Sequence, residues 1–287
     1  MTTRISIDDL VARYEGLLLD ALGVLVAEGA ALPGAVELVA HLNASGKPYL
    51  VVTNDASKLP ETASARFRAL GLDIGPERIL GSGMLLASHF SAHGLVGKRV
   101  AVLGPPGSVR YVELAGGRPV SWDGDFDALV IGDESGFPFL EGVDTALSSL
   151  FRMLDQGRPV HLVVPNPDLV YPRAGGEFGI AAGSMALMFE AALALRYPGR
   201  ADLAFVRLGK PHAAIYAEAL ARLGTRNAVM IGDQLETDIR GARAFGLDAA
   251  LVEGGVSRYD PAATPPDRQP TWLLGSLVAS PGTRASS

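Results

Sequence analysis

Asp20, Asp233 and Asp238 are the residues whose types and settings point most directly to chemistry. Asp20 ends the apolar run Leu17-Leu18-Leu19, and Asp233 follows a second run, Ala228-Val229-Met230-Ile231, through Gly232. Asp238 falls on the first turn of the helix expected after Asp233, so its side chain can return to the same rim. Carboxylates gathered there repel one another unless a cation joins them. Hard oxygen donors with no His or Cys nearby select Mg2+. Lys210, in Gly209-Lys210-Pro211, adds an ammonium that can pair with a phosphate and one carboxylate, and Thr53, after Tyr49-Leu50-Val51-Val52, offers a hydroxyl suited to an anion. Singly, each has an ordinary reading as turn cap, helix cap, dipole partner or solvated lysine. Their joint occurrence, in order and all at strand ends, is the signal.

The elements that must position them form an alternation. Short apolar runs bounded by Gly and polar residues read as strands buried on both faces of a parallel sheet. Between the first two lies a helix opened by Pro33-Gly34 and ended by Gly46, so the strands before Asp20 and Thr53 form a βαβ unit with both residues on one rim. Helices are expected over Ser6–Tyr14, Ser57–Leu70, Ala213–Leu223 and Thr237–Phe245, with a further strand at Ala249–Val252. After Gly81-Ser82-Gly83 the texture changes. Strands at Arg99–Leu103, Ala128–Ile131 and Val160–Val164, followed by a glycine-rich loop from Gly175 to Ser184 and a helix over Met185–Leu195, predict a second α/β layer. Gly104-Pro105-Pro106-Gly107 lacks dinucleotide-loop spacing, and its prolines remove N–H donors. The expected fold is α/β, a doubly wound, mostly parallel Rossmann-like core sheet formed by residues 1–83 and 203–287. An inserted α/β cap domain, residues 84–202, is hinged near Gly83 and residue 202.

Composition narrows the function further. With 48% apolar residues the chain builds a real core. A net charge of −6 without a Lys/Arg run argues against nucleic-acid or anionic-membrane partners. The absence of cysteine excludes disulfides, thiolate zinc sites and cysteine nucleophiles. The charged start, Met1 to Tyr14, is not that of a signal peptide, so a cytoplasmic protein is expected.

The motifs Asp20-Ala-Leu-Gly-Val-Leu, Thr53-Asn54, Gly209-Lys210-Pro211 and Gly232-Asp233 through Thr237-Asp238 resemble the four ordered motifs of the haloacid dehalogenase superfamily. The insertion, with Asn166-Pro167-Asp168, is similar to that of its large-cap branch, which includes p-nitrophenylphosphatases and N-acetylglucosamine-phosphate phosphatase. The resemblance implies a Mg2+-dependent phosphatase of a small phosphorylated metabolite such as a sugar phosphate, working through an aspartyl-phosphate on Asp20. By the same resemblance Thr53 and Asn54 hold the phosphoryl oxygens and Lys210 neutralises charge. Asp20, Asp233, Asp238 and the Leu22 carbonyl bind the metal, and Asp55, Asn166 and Asp168 face the substrate. The resemblance is compatible with a homodimer.

One position departs from the pattern. Most of these phosphatases carry a second aspartate two residues after the nucleophile, as general acid/base, where this chain has Leu22. Losing such proton transfer costs about a hundred- to ten-thousand-fold in rate, least with good leaving groups. Asp55 is a candidate replacement. The alternatives are a catalytically weakened binder of phosphorylated ligands and a metal-free dehalogenase.

Overall fold

A computed structural model of the protein describes residues 2–27 and 29–279, so the tail expected from Ser280 lies outside the described residues. The chain forms two compact units, one of residues 1–53, 60–80 and 210–287 and the other of residues 54–59 and 81–209.

The first unit is built on a sheet of β1 (Thr3–Ile5), β2 (Gly16–Leu19), β3 (Tyr49–Thr53), β4 (Ile79–Gly81), β5 (Ala228–Gly232), β6 (Asp248–Val252) and β7 (Trp272–Leu274). Their order is β1-β7-β6-β5-β2-β3-β4. The pairings from β1 across to β3 are parallel. Every residue of β2 and β5 is buried, as their unbroken apolar composition requires of strands at the centre of a covered sheet. The helices are α1 (Ile7–Arg13), α2 (Ala35–Ser45), α3 (Pro60–Ala69), α4 (Ala213–Leu223) and α5 (Arg240–Ala244). Leu17 and Leu19 of β2 and Val229 and Ile231 of β5 share a core with Ile7, Leu10, Leu38 and Leu42. Truncating such a leucine to alanine costs about 2–5 kcal/mol. Register then does the positioning: Leu19 lies beside Ile231, and the Asp20 amide donates to the Ile231 carbonyl at 2.9 Å. Asp20 and Asp233 therefore leave the sheet from neighbouring strands at the same end.

The second unit has its own parallel sheet. Its strands, in spatial order, are Val206–Arg207, His161–Val164, Ala128–Ile131, Arg99–Leu103 and Arg118–Val120. Leu150 and Met153 of the helix Phe139–Asp155 and Met185 and Phe189 of the helix Ala182–Arg196 close its core with Leu129 and Ile131.

Several local expectations change. Val206–Arg207 extends the second sheet by pairing with Val163 and Val164, so this unit runs to Gly209. The helix expected from Ser57 starts at Pro60, because Asp55 Oδ1 captures the amides of Ser57 (2.7 Å) and Lys58 (3.1 Å) in a turn. Part of the stretch expected as a glycine-rich loop is an antiparallel ribbon, Val170–Pro172 with Phe178–Ile180. The expected helix Thr237–Phe245 is one π turn, Leu235–Ile239, followed by α5. No described helix is long and apolar enough to cross a membrane.

Candidate active site

The site is assembled at the ends of β2 and β5. Asp20 is 4% exposed, and Asp233 and Asp238 are fully buried. Their carboxylates supply oxygens that all lie within 4.8 Å of one another. The π turn after β5 swings Asp238 back to the rim, where its Oδ2 accepts from the Gln234 amide at 3.1 Å. Tyr216 of α4 holds that turn from behind, its hydroxyl donating to the carbonyls of Thr237 and Asp238, each at 3.1 Å. Asp233 is fixed by the Val256 amide, 2.8 Å from its Oδ2. A Cβ at Gly255 would overlap the Asp233 side chain, so this approach requires glycine.

Lys210 ties the group together. Its buried ammonium donates to Asp20 Oδ1 at 2.6 Å and Asp238 Oδ1 at 2.7 Å. Burial alone would lower its pKa, but Asp20 and Asp238 override that and hold it charged. Desolvation raises the Asp20 pKa well above the carboxylate range, with Lys210 opposing and the neighbouring acids reinforcing the rise. Desolvation, then Asp238, pushes Asp233 from 3.8 up to about 7. Asp20 Oδ2 accepts no hydrogen bond from the described residues. Asp233 Oδ1 is buried and has no partner among the described residues. An unpaired, fully desolvated carboxylate oxygen facing other acids is the environment a hard dication relieves, and the all-oxygen donor set suits Mg2+.

Gly23 has φ 89° and stands where a Cβ would overlap Asp233 Oδ2. Gly23→Ala should therefore cost about 1–2 kcal/mol for the left-handed backbone alone, more from the overlap, and should weaken dication binding; urea unfolding and calorimetric titration check both. Asp233 also predicts a pH effect. Its pKa is higher folded than unfolded, so in EDTA the destabilisation is absent below about pH 4 and grows as pH rises through about 7. Melting temperature in EDTA should fall over that window, and saturating Mg2+ should reverse the fall.

The other expected residues are placed differently. Thr53 ends β3, half-buried. Asn54 belongs to the second unit, where its Nδ2 donates to Asp168 Oδ1 at 2.8 Å, while the Asp168 amide donates to Asn166 Oδ1 at 3.0 Å. Asp55 is a turn former: besides the two amides, Lys58 Nζ donates to its Oδ2 at 2.8 Å. Burial would raise its pKa, but Lys58 and Ser57 bring it below the usual range, which makes it a poor proton donor. Leu22 is 37% exposed and its backbone bridges to Val26; the next residue, Gly23, backs onto Asp233. The packing roles of Gly23, Gly255 and Tyr216 were not singled out by sequence, although the Gly254-Gly255 pair following β6 was a visible signal.

A profile for haloacid dehalogenase-like hydrolases matches residues 17–118, and a second profile for such hydrolases matches residues 207–280. The dihydroxyacetone phosphatase of Corynebacterium glutamicum is 30% identical over 263 residues, covering 91% of this chain and 88% of that one. The chain belongs to the haloacid dehalogenase-like hydrolases. Among solved structures, this hydrolase superimposes on a possible sugar phosphatase from Cytophaga hutchinsonii with a TM-score of 0.82 and 31% identity, covering 98% of this chain and all of that one. It is also similar to the glycerol phosphate phosphatase of Mycobacterium tuberculosis, solved in complex with magnesium (TM-score 0.79, 27% identity, 93% and 77% coverage). Its place is thus among the phosphatases of the family, on the expected doubly wound α/β core.

Proposed function

We propose that this hydrolase is a Mg2+-dependent phosphatase of a small phosphorylated metabolite, working through an aspartyl-phosphate on Asp20. The observation that carries the reading is the convergence of Asp20, Asp233 and Asp238 with an unpartnered buried oxygen on Asp233. Asp20, Asp233, Asp238 and the Leu22 carbonyl would hold the ion, which supplies positive charge against the phosphoryl oxygens.

This chain's own residues do the rest. Lys210, bonded to Asp20 Oδ1, fixes the nucleophile and leaves Oδ2 to attack phosphorus. The Asp20 O–P bond forms as the P–O bond to the alcohol breaks, and the departing oxygen takes its proton from solvent or from its own molecule, since Leu22 has none to give. Water then attacks the phosphorus of the acyl phosphate, releasing inorganic phosphate and regenerating the Asp20 carboxylate. Thr53 and Asn54 hold the phosphoryl oxygens, with Asp168 orienting the Asn54 amide. Asp55 keeps its turn, Asn166 and Asp168 contribute to substrate recognition, and the inserted unit serves as the substrate-selecting cap. The relatives that act on dihydroxyacetone phosphate and glycerol phosphate support a short polyol or sugar phosphate as substrate.

A panel of triose, glycerol and sugar phosphates, with p-nitrophenyl phosphate as the easy leaving group, tests this. Phosphate release that requires Mg2+ and stops in EDTA is expected. Binding without release across the panel would favour the weakened binder that Leu22 suggests, and halide release from a 2-haloacid in EDTA would favour a dehalogenase.

A further inference from the structure

Three of the chain's five histidines meet in the second unit, where no carboxylate among the described residues bonds to their rings. His89 lies on the helix Leu86–Ala92, His93 caps that helix one turn later, and His161 opens the strand His161–Val164. The Nε2 atoms of His89 and His161 are 2.8 Å apart. The His93 ring stacks on His89 with centroids 4.1 Å apart and stands 5.3 Å from His161. None of the proposed phosphatase chemistry uses them.

The hydrogen bonds assign the lone pairs. His93 Nδ1 is 2.9 Å from the His89 carbonyl, which can only accept, so Nδ1 carries the proton and Nε2 carries the lone pair. Between His89 and His161 one Nε2 must donate to the other, so the pair shares one proton. Moving that proton to the donor ring's own Nδ1 frees both Nε2 lone pairs with no net change of charge. Two imidazole nitrogens on a tetrahedral ion stand about 3.3 Å apart, at metal–nitrogen distances of about 2.0–2.1 Å. The two nitrogens therefore need to part by about 0.5 Å, and the rings, which meet nearly head-on with centroids 5.0 Å apart, must tilt so that both lone pairs aim at the ion. Exposed His93 needs a side-chain rotation to bring in its Nε2.

We propose that His89, His93 and His161 bind one Zn2+-class dication, with solvent completing the coordination. Imidazole donors suit such ions and not Mg2+. His89 is buried and His161 half-buried, a setting that favours the neutral imidazole a metal ion needs. Because Leu86–Ala92 and His161–Val164 are far apart in sequence, the ion would clip a helix to the sheet of this unit.

The test is calorimetric titration of the full chain with Zn2+ under saturating Mg2+, which keeps the acid cluster filled. One Zn2+ per chain is expected, weakened about tenfold or more in His93→Ala and His161→Gln and unchanged in Asp233→Asn. Because His93 is exposed, His93→Ala guards against misfolding as the cause of a loss in His161→Gln, with circular dichroism confirming the fold of both. An isotherm unchanged in His93→Ala, a Zn2+ signal lost in Asp233→Asn, or no Zn2+ uptake at all would overturn the site.

Discussion

Asp20→Asn is expected to abolish turnover, lowering kcat by about ten-thousand-fold or more, as removal of a covalent nucleophile does. The loss should appear in kcat rather than KM, because the amide keeps the shape of the site and Lys210 retains Asp238 as a partner. The variant should also remain folded. Three buried acids with one ammonium among them repel in the absence of a cation, and the substitution removes one of those charges. Steady-state kinetics and thermal unfolding in EDTA read the two effects separately. An Asp20→Asn enzyme that retained more than a few per cent of its activity would remove Asp20 from the nucleophile's role.

Leu22→Asp should act in the opposite direction. Leu22 is more than a third exposed, so a carboxylate can be placed there without the desolvation that raises Asp20 and Asp233. Supplying the missing proton donor should raise kcat for alkyl phosphates by about a hundred- to ten-thousand-fold. The gain should be much smaller for p-nitrophenyl phosphate, whose leaving group needs little protonation. In the wild-type chain the same absence slows activation of water, so the covalent intermediate should accumulate and give a pre-steady-state burst with an aryl phosphate. Equal gains for alkyl and aryl substrates, or no burst, would place the limitation elsewhere.

The central strands and their terminal acids were legible because burial on both faces of a sheet demands unbroken apolar runs. A polar residue ending such a run, as Asp20 and Asp233 do, stands out against it. The outermost pairing was not legible. Thr3–Ile5 and Trp272–Leu274 are three-residue strands with partly exposed side chains, too short to show a period. Neither were roles that depend on approach between distant segments: Gly23 and Gly255 yield space to Asp233, and Tyr216 steadies the turn that carries Asp238. Asp55 shows the converse. Its type suggested proton transfer, but the adjacent amides of Ser57 and Lys58 claim it locally, a competition that motif matching does not weigh. The histidine cluster joins residue 161 to residues 89 and 93 through the packing of a helix on a sheet, which no local pattern announces.

The central claim is that the gathered acids leave Asp20 free to take a phosphoryl group. Its most direct test is acid quenching of the Mg2+-loaded enzyme during turnover of p-nitrophenyl phosphate, with peptide mapping by mass spectrometry. One phosphoryl group on the peptide containing Asp20, absent in EDTA and in Asp20→Asn, is the predicted result. Sustained phosphate release with Asp20 unmodified throughout, or with the label on another residue, would contradict it.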